Sequence, residues 1–240
     1  MPEPERVLAP YDDLAHVPPV TAWRVAQAIL CPTWQRLMRL RIYGYDRLPI
    51  TGPAVLAMNH QSVADIFAFG VAVAPRSIRY MAKTELFEMP FIGRLMPHTG
   101  AFAVRRGEGD RDAIRQAQQV IASSNLLGIF VEGTRHDEIS EVQPGAAMLA
   151  IATGAPIIAS CIHGTKEHGR DPRRPVSIAF STPLDLASFG RGSKAYRTAS
   201  RVLRHNLEIQ MEFLRSVEAA GRPKRATPPE AVLDVGDTDG

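Results

Sequence analysis

The feature that most constrains the fold of this chain is an apolar run, Leu126 to Val131, that ends abruptly in the polar sequence Glu132-Gly133-Thr134-Arg135. A strand covered on both faces appears in a sequence as a continuous apolar run, and such strands are typical of parallel sheets with helices on both sides. The run therefore predicts a central, buried strand with charged residues at its carboxyl end.

The segments around this run alternate between strand-like and helix-like patterns. Strands are predicted at Ala54 to Met58, near Ile78 to Met81, near Gly100 to Val104, at Pro156 to Ile162 and near Val176 to Phe180. Helical spacing of apolar residues predicts helices from Asp110 to about Ser123 and from about Lys194 to Ala219. This alternation predicts an α/β protein with a mixed, largely parallel sheet flanked by helices.

Four regions are predicted along the chain. Residues 1–17 form a flexible N-terminus, and residues 18–44 form a two-helix hairpin interrupted at Cys31-Pro32. The hairpin mixes aromatic side chains with arginines, which suits docking on a membrane surface as well as simple capping of the core. Residues 45–220 form the α/β domain, and residues 221–240, rich in proline, glycine and acidic residues, form a disordered tail.

Composition limits the functional classes. The chain has 240 residues, 45% of them hydrophobic, and a net charge of +3, which is ordinary for a globular protein and too weak to indicate a nucleic-acid partner. The two cysteines, Cys31 and Cys161, lack the spacing of a metal or redox motif. The first residues contain no continuous apolar segment of the signal-peptide kind. A cytoplasmic protein is therefore expected.

A polar cluster, Asn59 to Asp65, follows the predicted strand Ala54 to Met58. A carboxylate can orient a neighbouring histidine for base catalysis, but His60 and Asp65 would lie about 140° apart on one regular helix. They could meet if His60 lies in the loop and Ser62 caps the following helix, with Asp65 in the first turn. The alternative is that Ser62 and Asp65 form a capping box and His60 is incidental.

Two further polar clusters follow predicted strands. Arg105 and Arg106 end the strand near Gly100 to Val104, and arginine forks bind phosphate or carboxylate oxygens. The alternative is that one of the pair, Arg105 rather than Arg106, is only a solvated surface charge. Glu132 to Arg135 could form an oxyanion or phosphate cradle in which Glu132 orients Arg135, or could contain only a structural ion pair. Open α/β sheets bind ligands outside the carboxyl ends of their strands, so the three clusters are expected to converge.

The order of these clusters resembles that of the glycerolipid acyltransferases of the 1-acylglycerol-3-phosphate (lysophosphatidic acid) acyltransferase type. The resemblance covers roughly residues 43–165 and departs from the family pattern at His136, at Gln143 and after Ile158. The matching blocks are Asn59-His60…Asp65, Gly100-x-Phe102-x-x-x-Arg106, Glu132-Gly133-Thr134-Arg135 and Ala155-Pro156-Ile157-Ile158.

The resemblance implies an acyltransferase domain at 45–220 and a role for each block. His60 would be the general base and Asp65 its orienting partner. The acceptor's phosphoglycerol end would be held by Asn59, Arg106, Glu132, Gly133, Thr134 and Arg135. Pro156 and Ile157 would lie near the acyl chain or the donor. Acyl-CoA or acyl carrier protein would be the co-substrate, with no cofactor and no metal.

The expected function is acyl transfer from a thioester to the hydroxyl of a lysophospholipid, with 1-acylglycerol-3-phosphate as the leading acceptor and phosphatidic acid as the product. A lipid substrate implies peripheral contact with the cytoplasmic face of a membrane. Three alternatives stay open: the same chemistry on another lysolipid or an aminolipid, a metal-dependent hydrolase with His60 and Asp65 as ligands, and a non-enzymatic membrane-binding module.

Overall fold

A seven-stranded sheet forms the centre of the protein. The computed structural model describes residues 31–90, 101–104, 111–136 and 138–233. The strand order is β1-β7-β6-β2-β5-β3-β4, and every neighbouring pair is parallel except β6 and β7. The predicted mixed, largely parallel sheet is confirmed. The strands are β1 (Arg41–Tyr43), β2 (Ala54–Met58), β3 (Ile78–Lys83), β4 (Phe102–Val104), β5 (Leu126–Phe130), β6 (Ile157–His163) and β7 (Ser177–Phe180).

Helices cover both faces of this sheet. The described helices are α1 (Ala64–Ala72), α2 (Thr84–Glu88), α3 (Arg111–Ala122), α4 (Gly145–Thr153), α5 (Thr165–Arg170) and α6 (Ser193–Ala219), in addition to the helical residues 31–37. Short 3-10 turns lie at Tyr45–Arg47 and Ala187–Phe189. Within the described part of the chain, none of the helices combines the length and the apolar character needed to span a bilayer.

The central strand β2 shows why the predicted strands are apolar without alternation. All five of its residues are fully buried. Val55 and Ala57 belong to the core on the side of α4 and α6, whereas Leu56 and Met58 belong to the core on the side of α1. Because side chains alternate along a strand, a strand between two helical layers needs apolar residues at every position.

Helix α6 confirms the prediction from apolar spacing, because it spans Ser193–Ala219. Its buried stripe includes Val202, Leu203, Leu214 and Val217, which pack on the core beneath the sheet. The opposite face of the helix is polar and exposed.

The prediction that the N-terminal helical hairpin extends to residue 44 is wrong at its carboxyl end. Residues 1–30, which include the segment 1–17 predicted to be flexible and the first predicted helix of the hairpin, lie outside the described residues. The helix 31–37 ends where Arg39 adopts a left-handed conformation (φ 47°), and the Leu40 amide donates back to the Gln35 carbonyl. Arg41–Tyr43 then forms β1 beside β7. Pairing with the edge of the sheet overrides the helical spacing in this segment.

The predicted disordered tail is wrong for residues 221–233, which we call the C-terminal strap. The Tyr43 hydroxyl donates to the Pro223 carbonyl, and the Arg47 guanidinium donates to the carbonyls of Pro228 and Pro229. Asn206 on α6 exchanges two hydrogen bonds with the main chain of Val232. These contacts hold a segment that has little apolar content and no regular secondary structure. Residues 234–240 lie outside the described part.

The sheet register places three strand ends at one edge. Met58 at the end of β2 is paired with Phe130 on β5 and with Ser160 on β6. Because β2 runs parallel to both neighbours, the loops that leave β2, β5 and β6 emerge side by side.

Candidate active site

His60 lies in the loop immediately after β2, close to Asp65. The His60 Nδ1 atom is 2.8 Å from Asp65 Oδ2, and the side chains are 15% and 0% exposed, respectively. The imidazole ring lies against the Phe130 ring with a centroid distance of 4.2 Å. The contact that the sequence predicted between residues five apart is therefore present, with one edge of the imidazole open to solvent.

Asp65 is held by four hydrogen bonds. Its Oδ2 atom also accepts from the amides of Gln61 at 2.6 Å and Ser62 at 2.8 Å, and its Oδ1 atom accepts from the buried Thr165 hydroxyl at 2.6 Å. Asp65 therefore both closes the turn that starts α1 and contacts His60. Asp65 thus makes the turn contact expected of a capping box as well as the contact with His60, but the residue immediately before α1 is Val63 and not the predicted cap Ser62. A catalytic role for the His60–Asp65 pair stays a prediction.

Glu132 links the loop after β2 to the loop after β5 through its buried carboxylate. It is 6% exposed, and its two carboxylate oxygens accept from the amides of His60 at 2.9 Å and Ser140 at 2.7 Å. Both oxygens accept from main-chain donors, and the expectation that Glu132 also orients Arg135 or holds the acceptor stays a prediction. Its observed contacts position the main chain of His60.

Three consecutive exposed residues lie beside His60: Thr134, Arg135 and His136. Arg135 Nε donates to His60 Nε2 over 3.4 Å, and the Thr134 hydroxyl contacts His136 Nε2 at 2.7 Å. The His136 amide donates to the His60 carbonyl. Gly133 has a left-handed conformation (φ 74°) that lets the chain turn tightly between β5 and these three residues.

Asn59 is turned away from the open side of the site. Its side chain is 2% exposed and exchanges hydrogen bonds with Ile162 on β6, donating to the carbonyl at 3.0 Å and accepting from the amide at 2.8 Å. The expectation that Asn59 binds substrate stays a prediction, and the contacts present are structural. Its amide matches the two main-chain groups of Ile162 and fixes the end of β2 against β6.

Pro156 and Ile157 are not brought to the site. Ile157 pairs with Val55, at the amino end of β2, and is fully buried. The strand rises by about 10 Å from Val55 to its end at Met58, and His60 lies two residues further along the chain. Ile157 thus lies well away from His60, and a contact of this pair with the acyl chain or the donor stays a prediction. Arg106, by contrast, lies outside the described residues.

Thr165 and Phe130 complete the site and were missed from the sequence. Thr165 follows β6 after Gly164, whose left-handed conformation (φ 91°) leaves no room for a side chain beside the Pro175 carbonyl. The rule that polar residues gather after strand ends could have singled out Thr165. No sequence signal distinguishes Phe130 from other apolar strand residues.

Tyr80 packs against Phe130, the aromatic residue that contacts His60. Tyr80 stacks on Phe130 at a centroid distance of 6.2 Å, and its hydroxyl donates to the Ile66 carbonyl at 2.8 Å. Burial raises the pKa of Tyr80 well above its usual range, and the negative charge of Asp65 adds to the rise. The hydroxyl therefore stays neutral and acts as a structural donor.

The arrangement is suited to taking a proton from a bound hydroxyl. A histidine whose Nδ1–H donates to a fixed carboxylate presents a lone pair on Nε2, the nitrogen beside Arg135. Among the described residues, no group of three or more His, Cys, Asp or Glu side chains is placed to hold a metal ion.

Comparison with known proteins identifies the family. The model of a family described as "Acyltransferase" matches residues 39–163, more than half of the chain. A 1-acyl-sn-glycerol-3-phosphate acyltransferase of Bacillus subtilis is 27% identical over 173 residues, 71% of this chain and 86% of that protein. A relative of the same name from Helicobacter pylori is 33% identical over 45% of this chain and 44% of its own length, and this chain spans 36% of a chloroplastic relative from Arabidopsis thaliana.

A solved structure shows the same fold. The crystal structure of the 1-acyl-sn-glycerophosphate (LPA) acyltransferase PlsC from Thermotoga maritima superposes with a TM-score of 0.62 at 19% identity, covering 92% of this chain and 90% of that one. With the family match across both the β2 and β5 loops, the conclusion is that this chain belongs to the acyltransferase family.

Proposed function

We propose that this acyltransferase moves a fatty acyl group from a thioester to the free hydroxyl of 1-acylglycerol-3-phosphate, producing phosphatidic acid. The observation that carries the proposal is the pairing of His60 Nδ1 with the buried Asp65, which leaves Nε2 at the open edge beside Arg135. The names of the Bacillus and Helicobacter relatives support the choice of acceptor.

In the proposed reaction His60 acts as general base. Nε2 takes the proton of the acceptor hydroxyl while the oxygen attacks the thioester carbonyl. The carbon–sulfur bond then breaks, and the thiolate leaves with the proton that His60 returns. A positioned base of this kind contributes roughly 10² to 10⁴-fold to the rate, and Asp65 stabilises the imidazolium between the two proton transfers.

Arg135 is proposed to serve the acceptor's phosphate. Its guanidinium Nε lies 3.4 Å from His60 Nε2, a long contact. A phosphate accepts a charge-assisted hydrogen bond more strongly than a neutral imidazole does. Binding of the phosphate would therefore draw Arg135 from His60 and leave Nε2 free for the hydroxyl. Arg106, Gly133 and Thr134 are proposed to bind the same end of the acceptor.

The test is turnover of a panel of acceptors by purified protein. We expect 1-acylglycerol-3-phosphate to be preferred, and His60→Ala and Asp65→Asn to lower kcat by about 10² to 10⁴-fold. His205→Ala on α6 is the matched control and should retain activity. Undiminished turnover in His60→Ala would remove His60 from the mechanism. Preference for another lysolipid or an aminolipid would change the acceptor, and loss of activity to a chelator would favour the metal-dependent alternative.

Peripheral contact with the cytoplasmic face of a membrane is part of the proposal. Exposed apolar side chains follow the His60 loop at the start of α1, at Val63 and Phe67, and others lie on helix 31–37, at Trp34 and Leu37. The Trp34 and Phe67 rings pack edge to face at 5.8 Å. Exposed apolar patches of this kind mark membrane or protein contacts, and this patch adjoins the loop that carries His60.

Liposome sedimentation tests this surface. We expect Trp34→Ser combined with Phe67→Ser to lower the bound fraction several-fold, since each aromatic side chain removed reduces the apolar area that enters the interface. Ile50→Ser, at a residue 91% exposed before the amino end of β2, is the control and should bind normally. If the wild type, the double variant and Ile50→Ser bound liposomes equally, the membrane contact would lie elsewhere on the protein or the enzyme would be soluble.

A further inference from the structure

Cationic side chains are concentrated in the two segments that lead into β1 and β7. Residues 31–41 contain three arginines and no carboxylate, and residues 166–174, which cover most of α5 and the turn after it, contain four cations and two carboxylates. Together the two segments carry a larger excess of positive charge than the whole chain, whose net charge is +3. We call these two segments the basic edge. Its cations are Arg36, Arg39, Arg41, Lys166, Arg170, Arg173 and Arg174.

The sheet register places the basic edge on the same side of the sheet as the active-site loop. Ser177, the first residue of β7, is paired with His163, the last residue of β6, since these two strands are antiparallel. Arg41, the first residue of β1, is in turn paired with Ser177. Because β6 runs parallel to β2, the starts of β7 and β1 lie at the edge where the loop with His60 leaves β2. Neighbouring strands are about 4.8 Å apart, so β1 lies about 14 Å from β2.

Three contacts join the basic edge to α1 and its two segments to each other. The Trp34 ring packs on the Phe67 ring of α1. The buried Thr165 hydroxyl, at the start of α5, donates to the carboxylate in the first turn of α1. The Arg39 guanidinium donates to the Arg173 carbonyl at 2.9 Å. Helix 31–37, α1 and α5 with its following turn therefore form one continuous surface.

The arginines of the basic edge lack the acidic partners that several other exposed arginines have. On α3 and α6 three arginines are paired: Arg115 with Asp112 at 3.0 Å, Arg204 with Glu208 at 2.9 Å and Arg215 with Glu138 at 2.6 Å. Within the described part of the chain, no carboxylate pairs with four exposed arginines of the basic edge: Arg36, Arg170, Arg173 and Arg174. Like charges gathered without counter-charges repel one another, so this surface favours an anionic partner.

Exposed apolar side chains accompany these cations. Trp34 and Leu37 are 37% and 58% exposed on the same helix as Arg36, and Phe67 is 37% exposed on α1. A surface on which apolar side chains alternate with arginines suits the interface of an anionic membrane, where the apolar groups enter the lipid and the cations contact head-group phosphates. A free phosphate or a nucleotide gains nothing from the apolar side chains. The combination therefore favours a bilayer.

We propose that the basic edge binds the phosphate-bearing head groups of an anionic bilayer, so that docking of the protein depends on the negative charge of the lipid. This inference rests on the peripheral membrane contact proposed above, and it adds the class of lipid and a second docking segment, residues 166–174. Because His60 lies at the same edge of the sheet, docking through this edge turns the open side of the site toward the lipid layer.

Arg173 and Arg174 are suited to a test because their hydrogen bonds within the described structure are made by main-chain atoms. The Arg173 amide donates to the Asp171 carboxylate, and its carbonyl accepts from Arg39. The Arg174 amide donates to the Asp171 carbonyl, and its own carbonyl contacts His168 Nδ1. Substitution of the two side chains therefore leaves the turn after α5 with its hydrogen bonds.

The test is sedimentation of purified protein with two kinds of vesicle, phosphatidylcholine alone and equal parts of phosphatidylcholine and phosphatidylglycerol. A cation near an anionic surface strengthens binding about fivefold, so we expect the wild type to bind the anionic vesicles at least about 10-fold more tightly than the neutral ones. Arg173→Glu combined with Arg174→Glu should weaken binding to anionic vesicles about 10-fold or more, and binding to neutral vesicles by less than about twofold. Added salt should release the wild type from the anionic vesicles.

Lys194→Glu combined with Arg197→Glu is the matched control. It makes the same change in charge at exposed residues in the first turns of α6, a helix that packs on the opposite face of the sheet from α1. This variant should bind both kinds of vesicle as the wild type does. If Arg173→Glu with Arg174→Glu lowered the urea midpoint of unfolding, Arg173→Gln with Arg174→Gln would remove the charges alone and should show the same selective loss.

Three results would overturn the proposal. Equal binding of the wild type to both vesicles would leave a membrane contact made by apolar side chains alone, and the peripheral contact would stand. Unchanged binding by the Arg173 and Arg174 variants, or an equal loss in the α6 control, would show that the basic edge does not select the lipid. No binding of the wild type to either vesicle would refute the membrane contact as well. Sedimentation requires no turnover, so each result is independent of the proposed acyl transfer.

Discussion

At the scale of single residues, the site depends on hydrogen bonds that fix Asp65. Thr165 supplies the one donor to Oδ1, and no other described contact reaches that oxygen. Replacing Thr165 by valine keeps the shape but leaves a buried carboxylate oxygen without a partner. We expect kcat to fall roughly 10-fold, a fraction of what a positioned base contributes, with the KM of the acceptor unchanged.

Thr165→Ser distinguishes a positioning role from a packing role, because serine retains the hydroxyl and loses the methyl group. Activity should return to near the wild-type value in this variant, measured under the same steady-state conditions. If serine were as impaired as valine, the contribution of Thr165 would be steric.

Residue-level prediction succeeded where the contact is local. His60 and Asp65 are five residues apart, so the strand-to-helix junction alone brings them together. Thr165 reaches Asp65 across 100 residues, and Glu132 reaches the His60 amide across 72. Such pairings depend on the register of β2 with β5 and β6, which the sequence pattern does not specify.

At the scale of elements, Asn59 fastens β2 to β6 at the carboxyl edge. Its side chain pairs with both main-chain groups of Ile162. Asn59→Ala would leave a buried amide and a buried carbonyl without partners, which costs about 1–3 kcal/mol each. We expect the free energy of unfolding in urea to fall by about 2–4 kcal/mol.

Asn125→Ala is the matched control, because that side chain makes only a local contact with the Ser123 carbonyl. A change below about 1 kcal/mol is expected there. Similar losses of unfolding free energy in the two variants would show that the Asn59 link between β2 and β6 stabilises the protein no more than a local contact does.

Prediction of individual segments succeeded where apolar periodicity determines the structure. It failed where polar contacts hold a segment in place. The spacing along α6 predicted its ends to within one residue, since its stripe faces one continuous core. The strap is held by Arg47, Asn206 and Gln210 through main-chain carbonyls and amides. A proline-rich composition is typical of disordered segments. It gives no indication of the tertiary hydrogen bonds that hold the strap in place.

At the scale of the whole molecule, buried ionisable groups make stability depend on high pH. Burial, with the charge of Glu132 adding, raises the pKa of the Cys161 thiol well above its ordinary value of 9.0. Burial likewise raises the pKa of Tyr80 above 10.0. The unfolded chain releases these protons at lower pH than the folded chain does, so this stability is complete below about pH 9 and is lost as the pH rises further.

We expect the free energy of unfolding to fall between pH 9 and 11 by up to about 1.4 kcal/mol per pH unit for each such group. In Cys161→Ala the starting stability is lower, but the slope above pH 9 should be shallower than in the wild type. Denaturant titrations at a series of pH values measure both quantities. Identical slopes would show that Cys161 does not contribute.

The strap has a consequence for how the protein is made. Tyr43 and Arg47 contact Pro223, Pro228 and Pro229, separations of about 180 residues along the chain. During synthesis, the side chains of Tyr43 and Arg47 therefore lack these partners until residues 223–229 have left the ribosome. Changes in the last stretch of the strap would then act first on the yield of folded protein during translation, even though they lie far from His60.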